Sequence, residues 1–321
     1  MLVVGDVVTD VVARYRTPLA HGTDTAAEIR TMPGGAGANA ACWAARAGCA
    51  DVRLLARVGA DAHDWHGERL RRAGVRARLV RDERQPTGTV ICLVDAAAER
   101  TLLTDSGATL CLTPADWSPS LLDGVGRLHL SGYLFFADSS RGLAAAAMES
   151  ASERGIPVSV DPASAGFIEE WGVHRFLTAV EGAETLLPNA DEARLLTGRS
   201  DPAVAAAELS RRVPLAVVTL GDAGALVARA GAVTARLPPV PARAVDSTGA
   251  GDAFTGTYLA ALLAGASPAS AAAEGCRAGA HAVTLPGGRP QGWEPAPGES
   301  RPGRAPAEVR ADPGGRPAYP S

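Results

Sequence analysis

The chain has 321 residues, a formal net charge of −4 and a hydrophobic fraction of 46%. That length supports one large α/β domain or two small ones, and no basic block suggests a nucleic-acid or membrane-surface patch. The chain contains no lysine, so a Walker A loop, a protein-kinase ATP-anchoring lysine and a Schiff-base lysine are all excluded.

In chain order, the sequence predicts strands at Leu2–Val4, Val52–Val58, Val90–Asp95, Leu128–Ser131, Val158–Asp161, Thr185–Leu187 and Leu215–Leu220. Helical stretches at Ala38–Ala47, His66–Ala73, Arg141–Arg154, Ala190–Leu196 and Ala203–Arg211 lie between them. Continuous apolar strands separated by helices imply a mostly parallel sheet covered on both faces. Val11–Met32 and Thr87–Thr104 instead read as extended, polar-alternating segments, either edge strands and loops or a small separate sheet. The folded domain is expected over residues 1–286. From 287 to 321 the chain is rich in Pro, Gly and Arg without apolar periodicity, and reads as a disordered tail. No run of ~18 apolar residues and no signal-peptide pattern is present, so a cytoplasmic location is expected. The five cysteines form no CxxC and are odd in number, which suggests reduced thiols.

The most informative segment is Asp246-Ser-Thr-Gly-Ala-Gly-Asp252, which runs into an apolar helix. Glycines let an anion approach the backbone, and first-turn amides have no intrahelical acceptor. A carboxylate at that mouth can take a proton from an attacking hydroxyl. The bare Gly-Ala-Gly-Asp turn is equally a helix cap. Gly34 and Gly35 open a second glycine-rich turn, and Asn39 follows at a helix start. The only other asparagine, Asn189, lies three residues before Glu192. Thr219-Leu-Gly221-Asp-Ala-Gly224 follows a strand, and Asp6 and Asp10 come just after the first one.

Taken together, these segments resemble the PfkB, or ribokinase-like, carbohydrate kinases. Residues 246–252 are similar to the family's D-T-x-G-A-G-D signature, residues 34–41 to G-G-x-x-x-N-x-A, residues 189–192 to N-x-x-E, and residues 219–224 to T-x-G-x-x-G. The resemblance covers roughly residues 1–290. It implies an α/β fold with a three-layer core and a small β-sheet lid drawn from about 11–32 and 87–104. It implies ATP-dependent transfer of phosphate to a carbohydrate hydroxyl, with Asp252 as base and Gly249, Ala250 and Gly251 as anion hole. Asp10, Gly34, Gly35, Asn39 and Asp6 would bind the acceptor. Asn189, Thr219, Gly221 and Gly224 would serve the nucleotide, and Glu192 would hold Mg²⁺ through water. Asp246 and Thr248 match positions beside a monovalent cation such as K⁺.

The partner implied is a small-molecule substrate, with neither nucleic acid nor membrane involved. Oligomeric state is not legible, but an exposed apolar lid face would point to a homodimer. Ribokinases proper carry Lys where this chain has Ala36, Asn where it has Val8, and Glu after the strand ending near Ser131. Those departures weaken ribose as acceptor and leave a ketose, a sugar acid or a nucleoside open.

Overall fold

The computed structural model describes residues 1–96 and 100–290; the remainder of the expected tail, 291–321, lies outside the described residues. In chain order the elements begin with β1 (Leu2–Val4), β2 (Val8–Tyr15), β3 (Ala27–Gly34), α1 (Ala36–Arg46), β4 (Val52–Gly59), α2 (His63–Arg72) and β5 (Val75–Asp82). They continue with β6 (Gly88–Val94), β7 (Arg100–Asp105), β8 (Leu128–Ser131), α3 (Asp138–Glu153), β9 (Val158–Asp161), α4 (Ala165–Trp171) and α5 (Val173–Ala179). The last are β10 (Thr185–Leu186), α6 (Ala190–Thr197), α7 (Pro202–Leu209), β11 (Leu215–Thr219), β12 (Ala225–Arg229), β13 (Ala232–Leu237), α8 (Ala250–Leu263) and α9 (Pro268–Ala282).

Among these residues a nine-stranded sheet runs β13-β12-β11-β10-β9-β8-β1-β4-β5. Pairing is parallel from β11 to β5 and antiparallel only at the β11-β12-β13 end. Alternate residues of each central strand enter different cores. Leu2 and Val4 pack with α3 through α7, whereas Val3 packs with α1, α2, α8 and α9. Ala216 and Val218 join the first core, and Leu215 and Val217 the second. Period-two alternation thus makes two apolar faces from one strand, and each face binds a helical layer. Fully burying a Leu or Phe such as Leu130 or Phe176 contributes about 1.5–3 kcal/mol.

From β1 the chain moves outward through β4 to β5, and from β8 it moves the other way through β9 and β10 to β11. The order therefore reverses between β1 and β8. In open α/β sheets a ligand crevice forms at such a point, beyond the carboxyl ends of the strands. A second packing feature sets the crevice wall. A Cβ on Gly256 would run into the Ala40 carbonyl, so only glycine lets α8 cross α1 this closely. That crossing brings Asn39 of α1 against Asp252 of α8.

The two irregular stretches form a separate four-stranded sheet, β3-β2-β6-β7, slightly wider than their expected bounds. Its register puts Asp10 beside Val90 and Val90 beside Thr104 on one face. Thr31, Val11, Ile91 and Leu103 share the other. The first face looks onto the crevice, because Val8, Asp10, Val90, Leu102 and Thr104 all line it.

Residues 287–290, expected to open the tail, instead continue the fold, and Arg289 is buried. The helix expected from His66 starts at His63, where Ala62 caps it. No described helix is long and apolar enough to cross a membrane.

Candidate active site

The crevice is a cavity of about 260 Å³ at the carboxyl ends of the parallel strands. It gathers Asp6, Asp10, Gly35, Asn39, Asn189, Glu192, Thr219, Thr248, Gly251 and Asp252, which lie far apart in sequence. A second cavity of about 460 Å³ is lined by Thr219, Gly221, Gly224, Ala250, Gly251 and apolar groups including Val240, Phe254 and Val283. Thr219 and Gly251 line both, so the cavities meet at the turn that opens α8. Gly34, Gly249 and Asp246 line neither cavity.

The turn has a specific local cause. Gly249 is the helix N-cap at φ 74°, the left-handed region that glycine enters without strain. It also packs on Gly288, which leaves no space for a side chain. Among the described residues no backbone acceptor meets the N–H groups of Gly251 or Asp252, so both are available to an anion. Asp246 holds the turn in place, accepting from Thr248 N at 2.9 Å and Gly287 N at 3.0 Å. Arg14 of β2 lies 3.8 Å from the same carboxylate.

Asp252 accepts a hydrogen bond from Asn39 Nδ2 at 2.8 Å. Burial lifts its proton affinity well above the usual carboxylate range; the Asn39 bond opposes this, and the nearby charges of Asp161, Asp6 and Asp10 reinforce it. A carboxylate raised in this way is the stronger base. Asp10 is 9% exposed, and no donor among the described residues reaches its carboxylate. Burial pushes its pKa from 3.8 to about 7, opposed by the Arg289 charge and reinforced by Asp6 and Asp246.

Asp6 lines the cavity, and protein donors also engage its carboxylate. Its oxygens accept from Ala36 N at 2.6 Å, Gly37 N at 3.0 Å and Ser131 Oγ at 2.8 Å. The carboxylate caps α1 and ties β1 to β8 at the switch point, with its acceptors engaged by protein donors.

Asn189 and Glu192 form a reciprocal capping box at α6. Glu192 N donates to Asn189 Oδ1 and Asn189 N to Glu192 Oε2, each at 2.9 Å. This leaves the Asn189 amide nitrogen and the other Glu192 oxygen beside the cavity. Glu192 is 2% exposed, and burial followed by repulsion from Asp161 raises its proton affinity.

Sequence reasoning missed several residues here. Asp161 ends β9 in the cavity, accepting from Ala163 N at 3.0 Å and Thr255 Oγ1 at 3.1 Å. Its proton affinity is raised, mainly by burial. Ala163 reaches it through a positive φ of 71°, unusual for a residue with a Cβ. Tyr133 lines the cavity and packs on Phe136 and Phe167. At Gly132 a Cβ would enter the Pro162 carbonyl, so that position takes no side chain. The signal for Asp161 was present, an acid at the end of an apolar strand; Arg289 gave none.

The arrangement is that of two cavities that meet at a glycine turn whose free amides open a helix. Comparison with known proteins names the family. Residues 1–294 match the description "pfkB family carbohydrate kinase". The chain is 32% identical over 283 residues to a fructokinase of Klebsiella pneumoniae, covering 84% of this chain and 87% of that one. It is 27% identical to the ribokinase of Bacillus subtilis over 257 residues, covering 79% and 82%. Its fold superposes on the ribokinase of Thermotoga maritima with a TM-score of 0.76 at 28% identity, covering 89% of this chain and 93% of that one. The adenosine kinase of Sinorhizobium meliloti shares the fold at a TM-score of 0.82 and 22% identity, covering 90% and 95%. The chain belongs to the pfkB family of carbohydrate kinases, phosphotransferases that act on an alcohol group.

Proposed function

We propose that the enzyme transfers the γ-phosphoryl group of ATP to a hydroxyl of a small carbohydrate, with Asp252 as general base. The observation that carries this reading is the meeting of two cavities at Thr219 and Gly251, with Asp252 on the acceptor side only. Asp10 accepts hydrogen bonds from acceptor hydroxyls, helped by Asn39 and the backbone at Gly34 and Gly35. The attacking oxygen gives its proton to Asp252 as the new O–P bond forms. The bond from the γ-phosphorus to the bridging oxygen breaks, and ADP leaves. The N–H groups of Gly251 and Asp252, with the α8 dipole, meet the charge on the transferred group. With no lysine in the chain and no arginine lining either cavity, these amides carry that task, which bound Mg²⁺ would share.

The residues fit Mg²⁺ held through water. Glu192 and Asp161 are both buried carboxyls with raised proton affinity, a repulsion that a dication relieves. No cluster of three or more His, Cys, Asp or Glu poised for a metal exists among the described residues, and Mg²⁺ would be held through retained waters. When bound, Mg²⁺ neutralises phosphate charge. A K⁺ ion would draw on Asp246 and on carbonyls of the 246–249 and 283–288 segments. The small sheet acts as a lid, and its closure excludes water as a competing acceptor. A cytoplasmic location belongs to the same proposal.

Ala36, Val8 and the sterically closed Gly132 leave the acceptor cavity without the polar groups that mark ribokinases. The fructokinase similarity makes a ketohexose the first acceptor to test. One observation favours a nucleoside as second reading: Val90, Leu102 and Leu110 line one wall with apolar surface suited to a base. ADP release measured across ketoses, pentoses, sugar acids and nucleosides, with Mg²⁺ and with or without K⁺, is expected to give its highest kcat/KM with a ketose. A highest value with a nucleoside selects the second reading, and no release with any acceptor contradicts the kinase assignment.

The outer face of the small sheet supports a homodimer. Ile29, Leu103 and Ile91 are 64%, 53% and 38% exposed on it, a contiguous apolar strip of the kind that marks an interface. Sedimentation velocity is expected to show a dimer, and the pair Ile29→Asp with Leu103→Asp a monomer. A monomeric unmodified protein would contradict this.

A further inference from the structure

The segment after α9 places a charged side chain in the core. Arg289 is 8% exposed, although arginine is rarely buried without a charged partner in contact. Its Nη2 donates to the Gly34 carbonyl at 2.8 Å, and its Nε to Asn39 Oδ1 at 3.3 Å. Nη1 is buried and meets no acceptor among the described residues. Gly288, one residue earlier, accepts from Trp43 Nε1 at 3.0 Å, so the segment is wedged against α1. Arg289 does not line the acceptor cavity, yet both of its partners belong to the acceptor-binding group.

The direction of these bonds matters. An amide side chain has one accepting end and one donating end, and a guanidinium can only donate. With Arg289 on the Oδ1 side, Nδ2 of Asn39 must face Asp252, which it meets at 2.8 Å. The same guanidinium charge is felt by Asp10, which has no donor of its own. A single buried group therefore touches the Gly34 turn, sets the orientation of Asn39 and supplies positive charge behind Asp10.

We propose that Arg289 is a positioning residue for phosphoryl transfer, orienting the Asn39 amide toward Asp252 and holding the Gly34 turn and Asp10 in place for the acceptor. This rests on the kinase reading above.

Steady-state kinetics of Arg289→Met and Arg289→Lys test it. The Met variant keeps the length of the stem and removes every donor. Its kcat is expected to fall about tenfold to a hundredfold, as for a catalytic group displaced by about an ångström. The acceptor KM rises and the ATP KM stays unchanged. The Lys variant restores the charge behind Asp10 and with it the acceptor KM. It does not restore kcat, because a point donor cannot bridge Gly34 and Asn39 together. A purely structural role predicts a lower Tm with no such split between variants or substrates. Should the Met variant fail to fold, Arg289→Gln takes its place; it lacks the charge and is too short to bridge Gly34 and Asn39, so kcat falls and the acceptor KM rises. A folded Met variant, or in its place the Gln variant, with kcat and acceptor KM both unchanged overturns the proposal. Asp252→Asn run alongside separates the two readings. An inactive Asp252→Asn with an unimpaired Arg289→Met defeats only the positioning role, whereas an unmodified enzyme that phosphorylates nothing defeats the kinase reading itself.

Discussion

Replacing Asp252 with Asn is expected to lower kcat by about 10²–10⁴-fold, the usual worth of a positioned general base. ATP affinity should change little, because the Asp252 side chain is absent from the nucleotide cavity. Asn is nearly isosteric and its amide oxygen can still accept from Asn39, so the fold and the α8 turn should persist. What is lost is the charge that receives the proton. Burial and the surrounding Asp161, Asp6 and Asp10 raise the proton affinity of that carboxylate, and the Asn39 bond favours its charged form. Isothermal titration with ATP and a coupled ADP assay measure the two quantities separately. Near-normal turnover would remove Asp252 from the chemistry.

The second large effect is expected at Asp10, and it depends on pH. Its pKa of about 7 means that the free enzyme carries a protonated Asp10 below neutrality. Only the carboxylate can accept from two acceptor hydroxyls. The kcat/KM for the acceptor should therefore rise through pH about 7 and level off above it. Asp10→Asn should lower that plateau about tenfold to a hundredfold, the cost of one or two charge-assisted hydrogen bonds, and erase the limb near 7. Stability should move in the opposite direction. Burial raises the folded-state pKa above 3.8, so the folded protein holds the proton more tightly than the unfolded chain does. That stabilisation is fully present below about 3.8 and is lost as pH rises through 7. Asp10→Asn removes the buried charge, so its Tm at pH 8 should exceed that of the unmodified protein. A lower Tm there would show that Asp10 is paired in a way the structure lacks.

The legible parts of the molecule were those whose signals are local. The central strands are unbroken apolar runs, and the Gly-Ala-Gly turn before α8 shows its anion-binding capacity in its own residues. The capping of α6 by Asn189 and Glu192 was readable from their spacing, although only the structure shows that each residue keeps one polar atom for the cavity. Strand β5 escaped because Val-Arg-Ala-Arg-Leu-Val-Arg-Asp alternates arginine with apolar residues at the edge of the sheet, unlike a doubly covered strand. The glycines at 221 and 224 allow a hairpin turn as well as nucleotide contacts, and β12 and β13 form that hairpin. Gly224 serves the hairpin as well, since a Cβ there would strike the Leu237 carbonyl.

Two residues show where a linear reading stops. Asp6 reads as a substrate ligand from its place after the first strand, and it lines the cavity, but its bonds to Ser131 and the α1 amides have no local signal. Arg289 looked like tail from the composition around it. Its contacts are Gly34 and Asn39, about 250 residues earlier in the chain, and no local pattern encodes them. In both cases the deciding partners are distant in sequence and are met only once the sheet has reversed direction at β1.

The central claim is that ATP and a carbohydrate hydroxyl react across the turn that begins α8. Phosphorus NMR of a reaction with ATP, Mg²⁺ and a ketohexose tests it most directly. The account predicts a phosphate monoester of the sugar appearing in step with ADP, and its disappearance in Asp252→Asn. Inorganic phosphate appearing with ADP in place of any sugar ester would contradict it.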